Sequence, residues 1–337
     1  MLMAMSERFL PATLLAYGPR FVLLLPLLVL VPWAIGWVRS ALLPLSLAAA
    51  IAVGPIMGGR VSWRTLGRPL PGAPAPGQLR VLSYNTFGGS SVAARLDEAL
   101  ALRPDLIAFQ ECSEALVDAL RRRTRMYVIS YFNLCTASRW PITSLDSMPR
   151  GDLARISQYG FGGSALVLRH LIKGPYGPLI FVNVHLETAR KGLQAFTNGD
   201  GLLPDDIRGL GRFANAAPDA EATAAERLNI NTRIRDRESE RASLWAVRGD
   251  KAIPVIVAGD FNLPVESTIF HRHWDAFTDA FEAVGTGFGW TKREGTLLRI
   301  RIDHVLGNAT APKPAGVWLG PDLGSDHLPV IADLRWP

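Results

Sequence analysis

Ile253–Asn262 reads I-P-V-I-V-A-G-D-F-N. The apolar residues are consecutive rather than alternating, which is the pattern of a strand covered on both faces. The run stops at Gly259-Asp260-Phe261-Asn262. The end of a buried strand is where a sheet presents ligand-binding groups. Asp260 and Asn262 are two positions apart, so extended backbone points both side chains the same way. An aspartate can bind a metal or hold an attacking water, and an asparagine amide can donate to a phosphoryl oxygen without adding negative charge. The plain alternative is a strand-end turn held by Asx caps.

The same arrangement recurs along the chain. Asn85 follows R-V-L-S-Y, Glu111 follows L-I-A-F-Q, and His185 follows L-I-F-V-N-V. Asp303-His304 follows R-I-R-I, and Asp326-His327 precedes L-P-V-I-A. Carboxylates, amides and imidazoles gathered at strand ends suit a hard divalent metal with imidazoles aimed at it. That chemistry points to hydrolysis of a phosphate ester. His304 neighbours Asp303 on a strand and should face the opposite side, as a structural residue. His170, His271 and His273 lack such a context and read as surface or packing residues.

The first 60 residues differ. Phe21–Val38 and Ala41–Gly59 carry no charge apart from Arg39 between them. Each is close to the ~20 residues that cross a bilayer. Pro26, Pro32, Pro44 and Pro55 are tolerated in membrane helices, and Trp33 and Trp37 suit an interface. The stretch is too long for a signal peptide and shows no small-residue cleavage site. Residues 1–68 therefore read as a transmembrane helical hairpin. Residues 69–77, P-L-P-G-A-P-A-P-G, read as a semi-rigid linker, and residues 78–337 as one large domain.

Charge follows the same division. Of 36 basic and 30 acidic side chains, residues 1–76 hold six arginines and one glutamate, leaving 30 basic and 29 acidic beyond. The net charge of +6 thus comes almost entirely from the anchor region and is no nucleic-acid footprint, which needs a concentrated basic patch. Arginines flank the hairpin on both outer sides. The positive-inside rule places both termini in the cytoplasm, at a bacterial inner membrane.

Beyond residue 78, strands are expected at Leu79–Tyr84, Asp105–Phe109, Tyr127–Leu134, Ser164–Arg169, Leu179–Val184, Ile253–Ala258, Leu298–Leu306 and Leu328–Leu334. Helices are expected at Val92–Leu102, at Glu114–Arg122 with Ser113 as cap, and at Ala222–Arg248. Two sheets face to face with helices outside accommodate this many strands. Cys112 and Cys135 have no metal-ligand spacing and read as buried small hydrophobes that leave the compartment open. Arg121, Arg122, Arg123 and Arg125 suit a solvated helix end or a phosphate contact, and Arg241 a packing role. Gly162-Gly163 lacks the spacing of a dinucleotide loop and reads as a tight turn.

The strings L-S-Y-N-T, F-Q-E, N-V-H-L, A-G-D-F-N, R-I-D-H-V and S-D-H-L-P occur in one order from Leu82 to Pro329. In that order the chain resembles the endonuclease/exonuclease/phosphatase, or DNase-I-like, superfamily from about Gln78 to Pro337. The resemblance implies an α/β fold, a four-layered sandwich with two packed central β-sheets, and magnesium, with manganese as alternative, at their ends. It further implies metal ligation by Glu111, with Asn85 orienting it and Asp326 completing the shell. His327 would be the base that activates water or a phosphate contact, oriented by Asp303. His185 would contact the phosphate or assist the leaving group, and Asp260 and Asn262 would position the nucleophile.

Relatives of that type cleave DNA or RNA, dephosphorylate inositol lipids or hydrolyse sphingomyelin, so the bond type is better defined than the substrate. Thr188–Ala225 is long and glycine-rich, and would cover the site or dip toward lipid. No tyrosine matches the one abasic-site endonucleases use, and Thr86-Phe87 lacks the extra acid of some repair enzymes. The preferred function is a metal-dependent phosphoester hydrolase acting on a lipid head group or other small phosphoester near the bilayer. A nuclease and a non-catalytic interaction module are the alternatives.

Overall fold

Val255–Asp260 is a strand buried at all six positions in the computed structural model of the chain. The structure describes residues 5–87, 95–151, 166–197, 223–295 and 297–336. The Gly162-Gly163 turn and most of the glycine-rich segment after His185 lie outside them.

Along the chain run β1 (Gln78–Asn85), β2 (Leu106–Gln110), β3 (Tyr127–Tyr131), β4 (Leu134–Ser138), β5 (Ile142–Ser147), β6 (Leu166–Gly174) and β7 (Gly177–His185). There follow β8 (Val255–Asp260), β9 (Thr278–Asp279), β10 (Lys292–Glu294), β11 (Leu298–Ile300), β12 (Asp303–Gly307), β13 (Lys313–Leu319) and β14 (Val330–Arg335). One six-stranded sheet has the order β13-β14-β1-β2-β4-β3 and the other β5-β6-β7-β8-β12-β9. In each, one central pair is parallel, β1 with β2 and β7 with β8, and the other neighbours are antiparallel.

Leu79, Val81, Ala108, Phe181, Ile256, Ala258 and Val305 fill the space between the sheets. The reverse face of the first sheet packs Ile107 and Phe109 against α4 (Leu96–Ala101) and α5 (Glu114–Arg123). That of the second packs Val182 and Val257 against Ala242 and Trp274, from α7 (Ala224–Ala246), which follows the short α6 (Arg190–Thr197), and from α8 (Thr268–Trp274). This is a four-layered α/β sandwich. Ser113 caps α5 through a bond from the Leu116 amide, and a Thr223–Glu226 capping box starts α7.

Some expectations need correction. Tyr127–Leu134 is not one strand: the chain turns at Phe132-Asn133, and Phe132 takes φ +50° to do so. Leu298–Leu306 is likewise split, because β11 pairs with β10 whereas β12 pairs with β8. Cys112 and Cys135 are buried, but as partners in a disulfide rather than as separate thiols. Arg121 and Arg122 lie exposed beside Asp118 on the helix surface, and Arg241 binds the carbonyls of Pro149 and Arg150.

Ahead of the sheets lie α1 (Leu10–Tyr17), α2 (Leu27–Trp37) and α3 (Leu42–Ile51). Arg20–Trp37 and Arg39–Ile56 are helical stretches of 18 residues, apolar and long enough to cross a membrane by length and composition. Trp37 and Leu43 are each 81% exposed, so these helices do not pack into the domain core.

Candidate active site

The site is a product of topology. β1 and β2 run parallel with Asn85 opposite Gln110, so Asn85 and Glu111 emerge at the same edge. β7 and β8 run parallel with His185 opposite Asp260. β12 enters antiparallel to β8 and sets Asp303 opposite Asp260. His327 stands three residues ahead of β14, which returns antiparallel along β1. Gly259 permits the close approach of β7 and β8, because its φ is +153° and a Cβ there would fall 2.0 Å from the Val184 carbonyl oxygen.

Asp260 is the centre. Its Oδ2 accepts from Asn85 Nδ2 at 3.0 Å and lies 3.8 Å from Nε2 of both His185 and His327. Asn85 Nδ2 also reaches Glu111 Oε1 at 3.2 Å, and His185 Nε2 is 3.9 Å from the same oxygen. The Asn262 amide N–H donates to Asp260 Oδ1 at 2.8 Å, and its side-chain Nδ2 donates to the Leu186 carbonyl at 2.8 Å. Glu111 and Asn262 adopt φ of +51° and +52°. Non-glycine residues in this region cost of order 1–3 kcal/mol and cluster where a side chain must be aimed.

His327 is buried, and its Nδ1 pairs with Asp303 Oδ2 at 2.8 Å. Burial disfavours the imidazolium, but Asp303 and Asp260 outweigh it and raise the pKa above the ordinary histidine value. Burial and the neighbouring Asp303 charge raise the Asp260 pKa, against the pull of His327 and His185.

The expected site residues fall into two groups. Asn85, Glu111, His185, Asp260, Asn262 and His327 line one cleft of about 230 Å³, and Asp303 supports His327 from behind. Asp326 does not line that cleft; it forms an ion pair with Lys292 and lies 3.9 Å from His327 Nε2. His304 is bound at both ring nitrogens, by Asp279 and the Leu263 carbonyl, which fits a structural residue. His170 bonds to Thr136, His271 to Asp275 and His273 to Asp236, all apart from the cleft.

The donor set suits a hard divalent cation. It is rich in oxygen and free of thiols, and it concentrates the negative charges of Glu111, Asp260 and Asp303. Asp303 Oδ1 is buried without a hydrogen-bond partner among the described residues. Donor atoms of Asp260, Asp303 and His327 lie within 4.8 Å of one another. His327 Nδ1 and Asp303 Oδ2 pair with each other there, and Glu111 and Asn85 line the same cleft as further oxygen-bearing ligand candidates.

Sequence reasoning passed over several supporting residues. Gln110 Nε2 donates to Asn183 Oδ1 at 2.8 Å, and Asn183 Nδ2 donates to the Cys135 carbonyl at 3.0 Å. These bonds cross between the sheets directly behind Glu111 and His185. Their signal was a polar residue inside an otherwise apolar strand, in F-Q-E and N-V-H. Ser325 Oγ holds the Asn85 carbonyl at 2.8 Å. Lys292, Arg190, Lys191 and Tyr17 also line the cleft, and none carried a local motif.

The model of the endonuclease/exonuclease/phosphatase family matches residues 82–327. The chain belongs to that family. Fold comparison agrees. A D. rerio TDP2 humanized by 14 mutations is 17% identical, with a TM-score of 0.54 over 77% of this chain and 99% of that one. D. rerio TDP2 complexed with a single-strand DNA product gives 0.51 at 17% identity, over 77% and 99%. No curated protein matches the sequence. At these identities the likeness is one of fold. Members of the endonuclease/exonuclease/phosphatase family are phosphoester hydrolases and nucleases, so the cleft is where an enzymatic activity of this chain belongs.

Proposed function

We propose that this chain is a divalent-metal-dependent phosphoester hydrolase working on a lipid head group or another small phosphoester near a membrane. The observation that carries the reading is the meeting of His185, His327 and Asn85 at one Asp260 carboxylate oxygen, beside Glu111 in an open cleft.

Glu111, with Asn85 and Asp260, would hold the ion, Mg²⁺ or Mn²⁺, which when bound neutralises phosphate charge. Asp303 fixes the His327 ring through Nδ1, leaving Nε2 to take a proton from water. The water oxygen bonds to phosphorus as the opposite P–O bond breaks. His185 donates a proton to the departing oxygen or a hydrogen bond to the phosphate. Asp260 and Asn262 align the attacking water. Lys292 sits where it can offset developing negative charge, though Asp326 already shares its ammonium.

The near-balanced domain charge supports a small or lipid-borne phosphoester over duplex nucleic acid, whose binding rests on many cationic contacts. The two apolar helices support a membrane location. The disulfide supports placing the domain on an oxidising side of that membrane, against the cytoplasmic side that the flanking arginines favour, because cytosolic thiols are kept reduced. Trapping of free thiols in intact cells reads the side directly.

Phosphoinositides, sphingomyelin, plasmid DNA and single-stranded DNA, each assayed with Mg²⁺ and with chelator, test the function. Turnover of a lipid phosphoester that stops on chelation is expected. Full turnover by thoroughly chelated protein would overturn the metal role, and preference for DNA would favour the nuclease.

A further inference from the structure

The linker at residues 69–77 suggests a domain tethered loosely to its apolar helices. The contacts describe a fixed joint instead. Glu7 is buried against Ser267 and Thr268: Ser267 Oγ donates to Glu7 Oε1 at 2.5 Å, and the Thr268 amide donates to Oε2 at 2.8 Å. Arg235 of α7 lies 3.7 Å from the same carboxylate, with both side chains almost fully enclosed. Tyr17 donates to Glu7 at 2.9 Å, and its ring stacks under the Arg235 guanidinium at 4.8 Å.

Arg20 then binds Glu266 at 2.8 Å and the Ile56 carbonyl at 3.0 Å. It thereby gathers the start of the first apolar stretch and the end of the second onto one carboxylate. The receiving turn, Glu266-Ser267-Thr268, follows Asp260 and Asn262 by only a few residues. A second joint sits at Arg60, whose backbone pairs with Gly287 and whose side chain meets Glu282.

This joint forms part of the cleft wall. Tyr17 lines the same cleft as Glu111, His185 and Asp260. Arg20 begins the first 18-residue stretch, so only Gly18 and Pro19 lie between it and Tyr17, and the three residue steps span at most about 11 Å of extended chain. The head-group layer on each side of a hydrocarbon core is roughly 5–8 Å deep. Phe132, 74% exposed at the β3–β4 turn, stands at a neighbouring hollow shared with Glu111 and His185. An exposed phenylalanine suits burial of its ring at the boundary between head groups and acyl chains.

We propose that Ser6–Arg20 is a built-in wall of the active site that holds its mouth at the head-group layer, and that the substrate is a phosphoester of a lipid still embedded in the bilayer. This rests on the hydrolase reading above. The full-length chain is reconstituted into phosphatidylcholine vesicles doped with sphingomyelin, phosphatidylglycerol or a phosphoinositide. It is compared with a Glu7→Ala/Arg20→Ala variant, with soluble bis(p-nitrophenyl) phosphate as a second substrate. A photoreactive benzoylphenylalanine at position 132 reports contact with lipid.

The expected result is a selective loss: in the variant, turnover of the vesicle lipid falls at least about tenfold further than turnover of the soluble ester, since a loose tether dilutes productive orientations. The label at position 132 should capture lipid in the parent and lose most of that capture in the variant. Equal lipid turnover and equal capture in both proteins would overturn the proposal, as would faster cleavage of a single-stranded oligonucleotide than of any vesicle lipid. Failure of both proteins on every ester would sink the hydrolase chemistry instead, and the capture experiment would still decide where the mouth lies.

Discussion

At the scale of residues, the decisive pair is His327 and Asp303. The raised His327 pKa comes from two nearby carboxylates working against burial. Asp303→Asn should therefore lower it, and an NMR titration of metal-free protein checks the direction. His327→Ala should reduce turnover by ~10²–10⁴-fold if the imidazole is the general base. His185→Ala should also impair turnover, and His271→Ala, whose ring pairs with Asp275 away from the cleft, should not. His170 gives a stability prediction. Burial lowers its pKa to about 4, so the folded chain keeps it neutral while the unfolded chain binds a proton near pH 6.5. Stability from this site is complete above about 6.5 and falls as pH drops toward 4, by at most about 3 kcal/mol. His170→Gln should flatten that slope in denaturation measured across the window. The residues that cluster at Asp260 were legible because each sits at or near the end of a buried strand. Lys292 and Tyr17 were not, since their places depend on chain crossings that no local pattern records.

At the scale of elements, strands β1, β2, β7 and β8 were readable from their apolar and β-branched content, whereas the parallel pairing of β1 with β2 and of β7 with β8 came from the fold. The β3–β4 hairpin was not readable. Its turn carries no glycine at the tip, and Phe132 takes the left-handed conformation that a sequence reader assigns to glycine or asparagine. Missing the hairpin also hid the disulfide, because Cys135 faces Cys112 only once β4 lies beside β2. The bond joins residues 23 apart, a loop whose closure is worth about 3 kcal/mol on chain-entropy grounds. Cys112→Ser with Cys135→Ser should lower denaturant stability by about that amount. It should depress turnover further than stability alone explains, because Cys112 adjoins Glu111 in the strained turn.

At the scale of the whole molecule, the sandwich and its order of motifs could be read from sequence, whereas the joint between the apolar helices and the domain could not. Its parts, Glu7, Arg20 and Arg235, are single charges far apart in the chain. Deleting residues 1–76 strips Arg235 and Glu266 of their partners. Breaking a buried pair costs about 3–5 kcal/mol when the remaining charge stays enclosed, and less here because the cut also admits water. The shortened domain should stay folded and melt several degrees below the full chain, as calorimetry in matched detergent would show.

The clamp at Glu266 has a kinetic consequence. A catalyst that cannot tumble away from its surface meets its substrate in two dimensions, so bulk lipid concentration ceases to be the controlling variable. Velocity should follow the mole fraction of substrate within the surface, falling when inert lipid is mixed into the same vesicles and holding steady when more vesicles of the same composition are supplied to saturated enzyme.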